Sequence, residues 1–278
     1  MAGKLYLVAT PIGNLNDISD RAARTLEEVD FIAAEDTRVT QKLLNRLGIK
    51  KTLISYYKHN SRQSGEYILK RLLDEEDCAL VTDAGTPGIS DPGEEVVRLC
   101  SDTGIEILTI PGPCAAISAL TLSGLPTGRF TFEGFLSTSR KSRFEHLEEL
   151  KTEKRTMIFY EAPHKLNRTL NDMLTVFGDR CISLSRELTK IHEETIRCHI
   201  SEAISHFSET PPRGEFVIII EGITDTTANN DDFSDAFAIA IDYRDKGYSA
   251  KDAAKKTSDE TGISKNAIYK ALISDVEV

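Results

Sequence analysis

What these 278 residues lack excludes several classes of protein. No stretch is apolar for long enough to cross a bilayer, and the apolar run "FVIIIEG" from Phe216 to Gly222 has the length of a buried strand. The chain passes from "MAGK" straight into "LYLVAT", without the charged region, long apolar core and small-residue cleavage site of a signal peptide, so a cytoplasmic location is expected. Cysteines stand at 78, 100, 114, 181 and 198, odd in number and never in a Cys-x-x-Cys pair. That pattern argues against a disulfide framework and against zinc, and suits small apolar core residues. Six histidines are dispersed, so no structural metal is expected. No long internal repeat or low-complexity tract is present.

What is there reads as a globular chain, 40% hydrophobic and 28% charged, long enough for two ordinary domains. From Leu5 to Leu122 the apolar runs "LYLVAT", "DFIAAED", "TLISYY", "CALVTDA" and "IEILTIP" alternate with segments of helical period, which predicts five strands in a mostly parallel sheet. In Ser61 to Glu76, Tyr67, Ile68, Leu72 and Leu73 fall on one helical face. After "SGLPTGR" a second set follows: "FTFEGF", a charged helix, "TMIFYEA", another helix, "CISLSREL", a strand near 195–200, and "EFVIIIEG". This predicts an α/β protein with two α/β domains, 1–124 and 125–224, the second with a mixed sheet. Residues 225–278 are expected to form an acidic, solvated, extended linker and a small helical tail in helix-turn-helix outline, with Ser264 capping its last helix.

The Gly, Pro and polar residues of the first half fall just after the apolar runs: "PIGN", "EDTR", "KHN", "DAGTPGISDPG" and "PGPCAA". Loops at the carboxyl ends of strands in an open α/β sheet form a ligand rim, and "FYEAPH" and "RELTK" extend that pattern into the second half. "VTDAGTPGISDPG" has no P-loop lysine and no Gly-x-Gly-x-x-Gly, so it is neither familiar phosphate motif. Asp83 to Ile89 reads as a fixed, open turn that approaches a ligand, and Ser90 to Gly93 as the start of the next helix, Ser90 or Asp91 capping and Pro92 in the first turn. "EDTR" is either an ion pair or a substrate-handling group. The net charge of −10 restricts nucleic-acid contact to local patches. One such patch is Thr138 to Arg168, with eight Lys/Arg against five Glu, unless its pairs are ordinary i,i+4 neighbours.

"LYLVATPIGNLNDIS", "IAAEDTRVTQKLL", "VTDAGTPGISDPG", "IPGPCAAISAL", "FEGFL", "MIFYEAPHKL", "RELTK" and "RGEFVIIIEG" stand in the order and approximate spacing of the bacterial ribosomal RNA small-subunit methyltransferase I family, of the tetrapyrrole (precorrin-type) methylase fold. The resemblance covers Leu5 to about Gly222, with a tail similar to the family's helix-turn-helix region. It implies S-adenosylmethionine as cofactor, 2'-O-methylation of a cytidine ribose in the decoding region of small-subunit (16S) ribosomal RNA, and a homodimer. Carried onto this chain, it implies cofactor contacts at Pro11, Asp83, Gly85, Gly88, Ile89, Cys114 and Ala115, then Phe159, Tyr160, Leu188, Gly214 and Glu215. The family often has an acidic residue after the His-Asn pair of its third loop, where this chain has Ser61.

Methyl transfer of that kind needs aligned reactants and a base for the ribose hydroxyl. Asp36 or Glu35 is the expected base, with Arg38 orienting the carboxylate or gripping phosphate, and Glu187 and Lys190 as second candidates. Arg140, Lys141 and Arg143 are the expected RNA contacts. The competing functions are methylation of a tetrapyrrole precursor and a non-catalytic nucleic-acid-binding module.

Overall fold

Five four-residue apolar runs, β1 (Leu5–Val8), β2 (Phe31–Ala34), β3 (Thr52–Ser55), β4 (Cys78–Val81) and β5 (Ile107–Ile110), pair entirely in parallel, in the order β3-β2-β4-β1-β5. The computed structural model describes residues 2–223 and 230–274. β2 and β4 are buried at every position, as expected of strands with helices on both faces. Helices α1 (Asp20–Glu28) and α2 (Thr37–Leu47) bury Leu26 and Leu44 against Val8, Ile32 and Val81 on one face. On the other, α3 (Ser61–Leu73) and α4 (Glu94–Asp102) bury Ile68, Leu72 and Val96 with Leu5, Phe31 and Leu80. Each such side chain, fully buried, stabilises by about 1.5–3 kcal/mol. Cys78 and Cys100 lie in this second core as small apolar groups.

The face of α3 differs from the sequence reading. Gly65, Ile68 and Leu72 are buried, whereas Tyr67 and Leu73 are 51% and 54% exposed. Helical spacing aims 65, 68 and 72 at the sheet and turns 67 and 73 away, and the Tyr67 ring lies under the Arg71 guanidinium. The start of α4 differs too. It begins at Glu94 behind Gly93, with no side-chain cap, and Ser90 sits at φ +63°. Ser90 to Pro92 thus form a loop before the helix, not its cap and first turn. A Cβ at Gly93 would stand 2.9 Å from the Gly88 nitrogen, so this loop folds back on the preceding turn.

The second sheet has the order β6-β7-β10-β8-β9, from β6 (Phe130–Phe135), β7 (Thr156–Glu161), β8 (Cys181–Arg186), β9 (Glu194–His199) and β10 (Phe216–Ile220). β6 and β7 are parallel, the other pairs antiparallel. One face, carrying Phe159, Leu184 and Ile218, packs under α6 (Arg140–Glu149), α7 (Pro163–Phe177) and α8 (Ile200–Glu209). The other, carrying Ile158, Val217 and Ile219, is covered by the small residues of α5 (Ala115–Leu122), notably Ala116 and Ala119. α5 follows the first sheet in sequence but packs on the second. Both sheets belong to one compact unit, Met1–Gly222.

Ile223–Val278 is the other unit. Its helices α9 (Asn230–Asp245), α10 (Ala250–Thr261) and α11 (Lys265–Ser274) share a core of Ala236, Ala240, Ala253, Ala254, Ile268 and Leu272. Residues 230–245 are therefore helix rather than extended linker, because alanines and aromatics recur at helical spacing among the aspartates. Residues 225–229 of the expected linker lie outside the described residues. Ser249 caps α10, Gly262 ends it in the left-handed conformation, and the Ser264 carbonyl accepts from Ile268 N–H. No described helix is long and apolar enough to span a membrane.

Arg143 of α6 is not a surface cation. It is 2% exposed, pairs with Asp172 of α7 at 2.7 Å and donates to the carbonyls of Ser137 and Thr138. Arg140, over the Phe144 ring, and Lys141, near Glu145, stay at the surface. Arg143→Ala should lower the unfolding free energy by about 3–5 kcal/mol, since it strands a largely buried carboxylate. Lys141→Ala should change it by less than about 0.5 kcal/mol, the usual result at an exposed position. Urea melts of both variants make the comparison.

Candidate active site

The carboxyl ends of the central strands β4 and β1 open into a cavity of about 380 Å³, within the usual range for a small-ligand site. Its floor is the loop after β4. Thr10 and Gly85 exchange both backbone hydrogen bonds, at 2.9 and 3.0 Å, which ties that loop to the end of β1. Gly85 at φ +88° and Gly88 at φ +83° give the turn its left-handed steps. Thr86 Oγ1 donates to the Pro113 carbonyl, joining the same loop to the one after β5.

The charges on this floor interlock. Asp83 N–H donates to Glu35 Oε2 at 3.2 Å, and Asp83 Oδ1 accepts from Asp36 N–H at 3.1 Å. Burial raises the carboxyl pKa of both Glu35 and Asp83 above the ordinary values. Asp91, half-buried on the loop before α4, is pushed up to about 7, by burial first and then by the charges of Glu35, Asp83 and Glu215. None of these four carboxylates is ion-paired among the described residues, whereas Lys190 is held by Glu187 and Arg186 by Glu194. The cavity therefore has an excess of negative charge.

The wall opposite comes from the second sheet. Tyr160 of β7 accepts Ala116 N–H on its hydroxyl and carries Phe132 and Phe135 against its ring. A bulge in β6 between Phe132 and Gly134 presents both phenylalanines to that tyrosine. The loop after β8 holds Glu187 and Thr189 at φ +51° and +66°, a strained conformation for residues with side chains. Thr189 Oγ1 accepts Asn14 N–H at 3.1 Å, so this loop is anchored to the one after β1.

Of the residues expected at a site, the structure brings Glu35, Asp83, Gly85 and Ile89 together with Cys114, Ala115, Tyr160, Leu188 and Glu215 around this cavity, with Glu187 and Lys190 at its edge. Six others are elsewhere. Pro11 lines a smaller cavity with Val39 and Leu43. Phe159 points into the helix-covered core. Gly88 and Gly214 are not on the lining. Gly214 admits Glu187, whose Oε1 would stand 2.5 Å from a Cβ there. Asp36 caps α2 and forks onto Arg38, which holds its carboxyl down at about 2. That is the ion-pair reading of "EDTR", and it removes Asp36 and Arg38 from the cavity wall. Arg186 of the "RELTK" rim lines the cavity as well, and so do Phe135 and Asp91, which were not expected there. The helix-start pattern around Asp91 concealed it, and only the alternative reading of "SDPG" as loop would have found it.

An acidic cavity with a glycine-shaped floor and an aromatic wall suits a cationic ligand carrying a flat nucleoside. The comparisons agree. A sequence profile described as Tetrapyrrole (Corrin/Porphyrin) Methylases matches residues 4–204. The Ribosomal RNA small subunit methyltransferase I of Halalkalibacterium halodurans is 45% identical over 96% of this chain and 93% of its own. That of Bacillus subtilis is 44% identical over 97% and 94%. Among solved structures, a cobalt precorrin-4 methyltransferase superposes with a TM-score of 0.58 at 18% identity, over 78% of this chain and 94% of that one. The uroporphyrin-III-C-methyltransferase of Thermus thermophilus gives 0.55 at 19%, over 78% and 94%; both establish the fold alone. S-adenosylmethionine is the cofactor of such methylases, and the cavity fits it. With its two-sheet fold, its match to the methylase profile and its near full-length relatives, the chain belongs to the tetrapyrrole (corrin/porphyrin) methylase family, in the group of ribosomal RNA small subunit methyltransferases I.

Proposed function

We propose that this protein methylates small-subunit ribosomal RNA, at the 2'-oxygen of a cytidine ribose in the decoding region, acting as a homodimer on the ribosomal subunit. The observation that carries the reading is similarity at 45% identity, along 96% of the chain, to a protein named for RNA methylation. The structural relatives named for uroporphyrin and precorrin methylation are less than half as similar in sequence and support no substrate.

When bound, the cofactor supplies an electrophilic methyl group on a positively charged sulfur. Asp83, Glu35 and Glu215 favour that charge, Gly85 leaves room for close backbone approach beside the Ile89 side chain, and Tyr160 with Cys114 and Ala115 closes the other side. The loop after β8 completes the wall with Leu188. The protein's remaining task is to take a proton from the ribose hydroxyl. Asp36, with its pKa near 2 and its carboxylate occupied by Arg38, is a weak base in the wrong place. Asp91 replaces it in this reading: it faces the cavity, has no cationic partner among the described residues and titrates near the working pH.

Mass spectrometry of ribosomal RNA from cells with and without the gene should show one cytidine ribose methylated only when it is present. No difference at any ribose would refute the proposal. Asp83→Asn should weaken S-adenosylmethionine binding by about tenfold, roughly 1.4 kcal/mol, in calorimetry.

Asp91→Asn should lower kcat by about 10²–10⁴-fold. In the unmodified protein kcat should rise with pH through about 7 as Asp91 ionises, and the variant should lack that rise. Stability moves the other way. A carboxyl whose pKa is raised from 3.8 to about 7 on folding is stabilising when protonated, and that contribution is lost as pH climbs across this window. The asparagine variant should therefore melt higher than the unmodified protein above pH 7, with the gap closing towards pH 4.

A further inference from the structure

A second cavity, of about 470 Å³, adjoins the first and shares Glu35, Ser90 and Asp91 with it. It lies beyond the edge of the cofactor cavity, under the loop after β3 and the start of α4, and is otherwise lined by Tyr56, Lys58, Ser61, Glu94, Glu95 and Arg98. Its shape is set by a buried contact: Tyr56, 1% exposed, accepts Val96 N–H on its hydroxyl and so fixes the end of β3 to α4.

Its charges are divided. Lys58 and Arg98 are both exposed, and the side chain of neither is hydrogen-bonded or ion-paired among the described residues. Two exposed cations whose side chains have no partner among the described residues leave their charge for an anion such as a phosphate. The same cavity is lined by Glu94, exposed at the start of α4, and by Glu95, which accepts from Ser61 Oγ. The third loop itself carries no carboxylate, and α4 brings one beside Ser61. Acceptors in that position suit a base with an exocyclic amino group, as cytosine has, and oppose the carbonyl that uracil presents at the same place. Next to the cavity on the same loop, Tyr57, 42% exposed, and His59 stand edge to face with ring centroids 6.4 Å apart. Exposed rings of this kind offer stacking to neighbouring unpaired bases.

We propose that this second cavity receives the acceptor nucleotide, turned out of the RNA, with its phosphate on Lys58 and Arg98 and its cytosine against the carboxylates of α4. The proposal rests on the function inferred above. A reactant in each of two adjoining cavities has Asp91 on the shared wall, which is where a proton acceptor for the ribose hydroxyl belongs. As the oxygen bonds to the methyl carbon, its proton passes to the carboxylate and the pair of the broken carbon–sulfur bond stays on sulfur.

The double variant Lys58→Ala/Arg98→Ala in the full chain is the test. Calorimetry should give S-adenosylmethionine affinity unchanged from the unmodified protein. Affinity for purified small subunits should fall by about tenfold, and the slope of log affinity against log salt should become shallower by about 0.7 for each phosphate no longer neutralised. Glu94→Gln/Glu95→Gln should narrow the preference for cytidine over uridine at the target position. Unchanged subunit affinity and salt slope in the double variant would overturn the assignment. Loss of cofactor binding along with subunit binding would overturn it too, since the two cations would then be serving the fold. If the unmodified protein methylates no cytidine ribose in small subunits, the functional reading fails instead.

Discussion

Like charges gathered at one edge of a parallel sheet are the constraint on which the rest of the site depends. Two unit charges about 4 Å apart interact by about 4 kcal/mol at the dielectric typical of a protein surface, so carboxylates do not collect unless the backbone holds them. Here it does. Glu35 and Asp83 each accept a backbone N–H from the neighbouring strand's loop, and the Thr10–Gly85 pair keeps the floor from moving away. The raised carboxyl pKa values of Glu35, Asp83 and Asp91 record the repulsion and desolvation that remain. A ligand cation offsets the repulsion, so the carboxylates that oppose one another here favour a sulfonium.

The two sheets divide the work. Loops of the parallel sheet supply acid and close backbone approach, and the mixed sheet supplies the aromatic wall and the strained loop at Glu187 and Thr189. α5 connects them: Ala115 at its start lines the cavity, and its small residues pack into the mixed sheet. Movement of α5 would therefore be felt in both.

Much of the architecture was legible in the sequence. The ten expected strands all formed; β2, β4 and β10 were the plainest, because a strand buried on both faces must be apolar throughout, and Gly and Pro mark the ends of the rest. The placing of ligand loops at the carboxyl ends of strands was equally legible, since the geometry of parallel sheets allows little else. Asp83, Gly85, Tyr160 and Glu215, which the family resemblance implied as cofactor contacts, line one cavity together with Glu35 of "EDTR".

Other features were decided only by packing. Arg143 has the composition of a surface cation, but Asp172 lies 29 residues away and only the docking of α6 on α7 makes the pair a buried one. Asp36 and Glu35 are neighbours with the same chemistry. The helix that begins after Asp36 claims one as its cap and leaves the other to the cavity. Ser90 to Gly93 has the residue types of a helix start, and contact with Gly88 holds it as a loop that carries Asp91 into the space between two cavities. Local pattern determined the elements of this protein, because propensity and periodicity act over a few residues. Tertiary structure decided which charges meet, because distance and burial, which set their energies, belong to the whole fold.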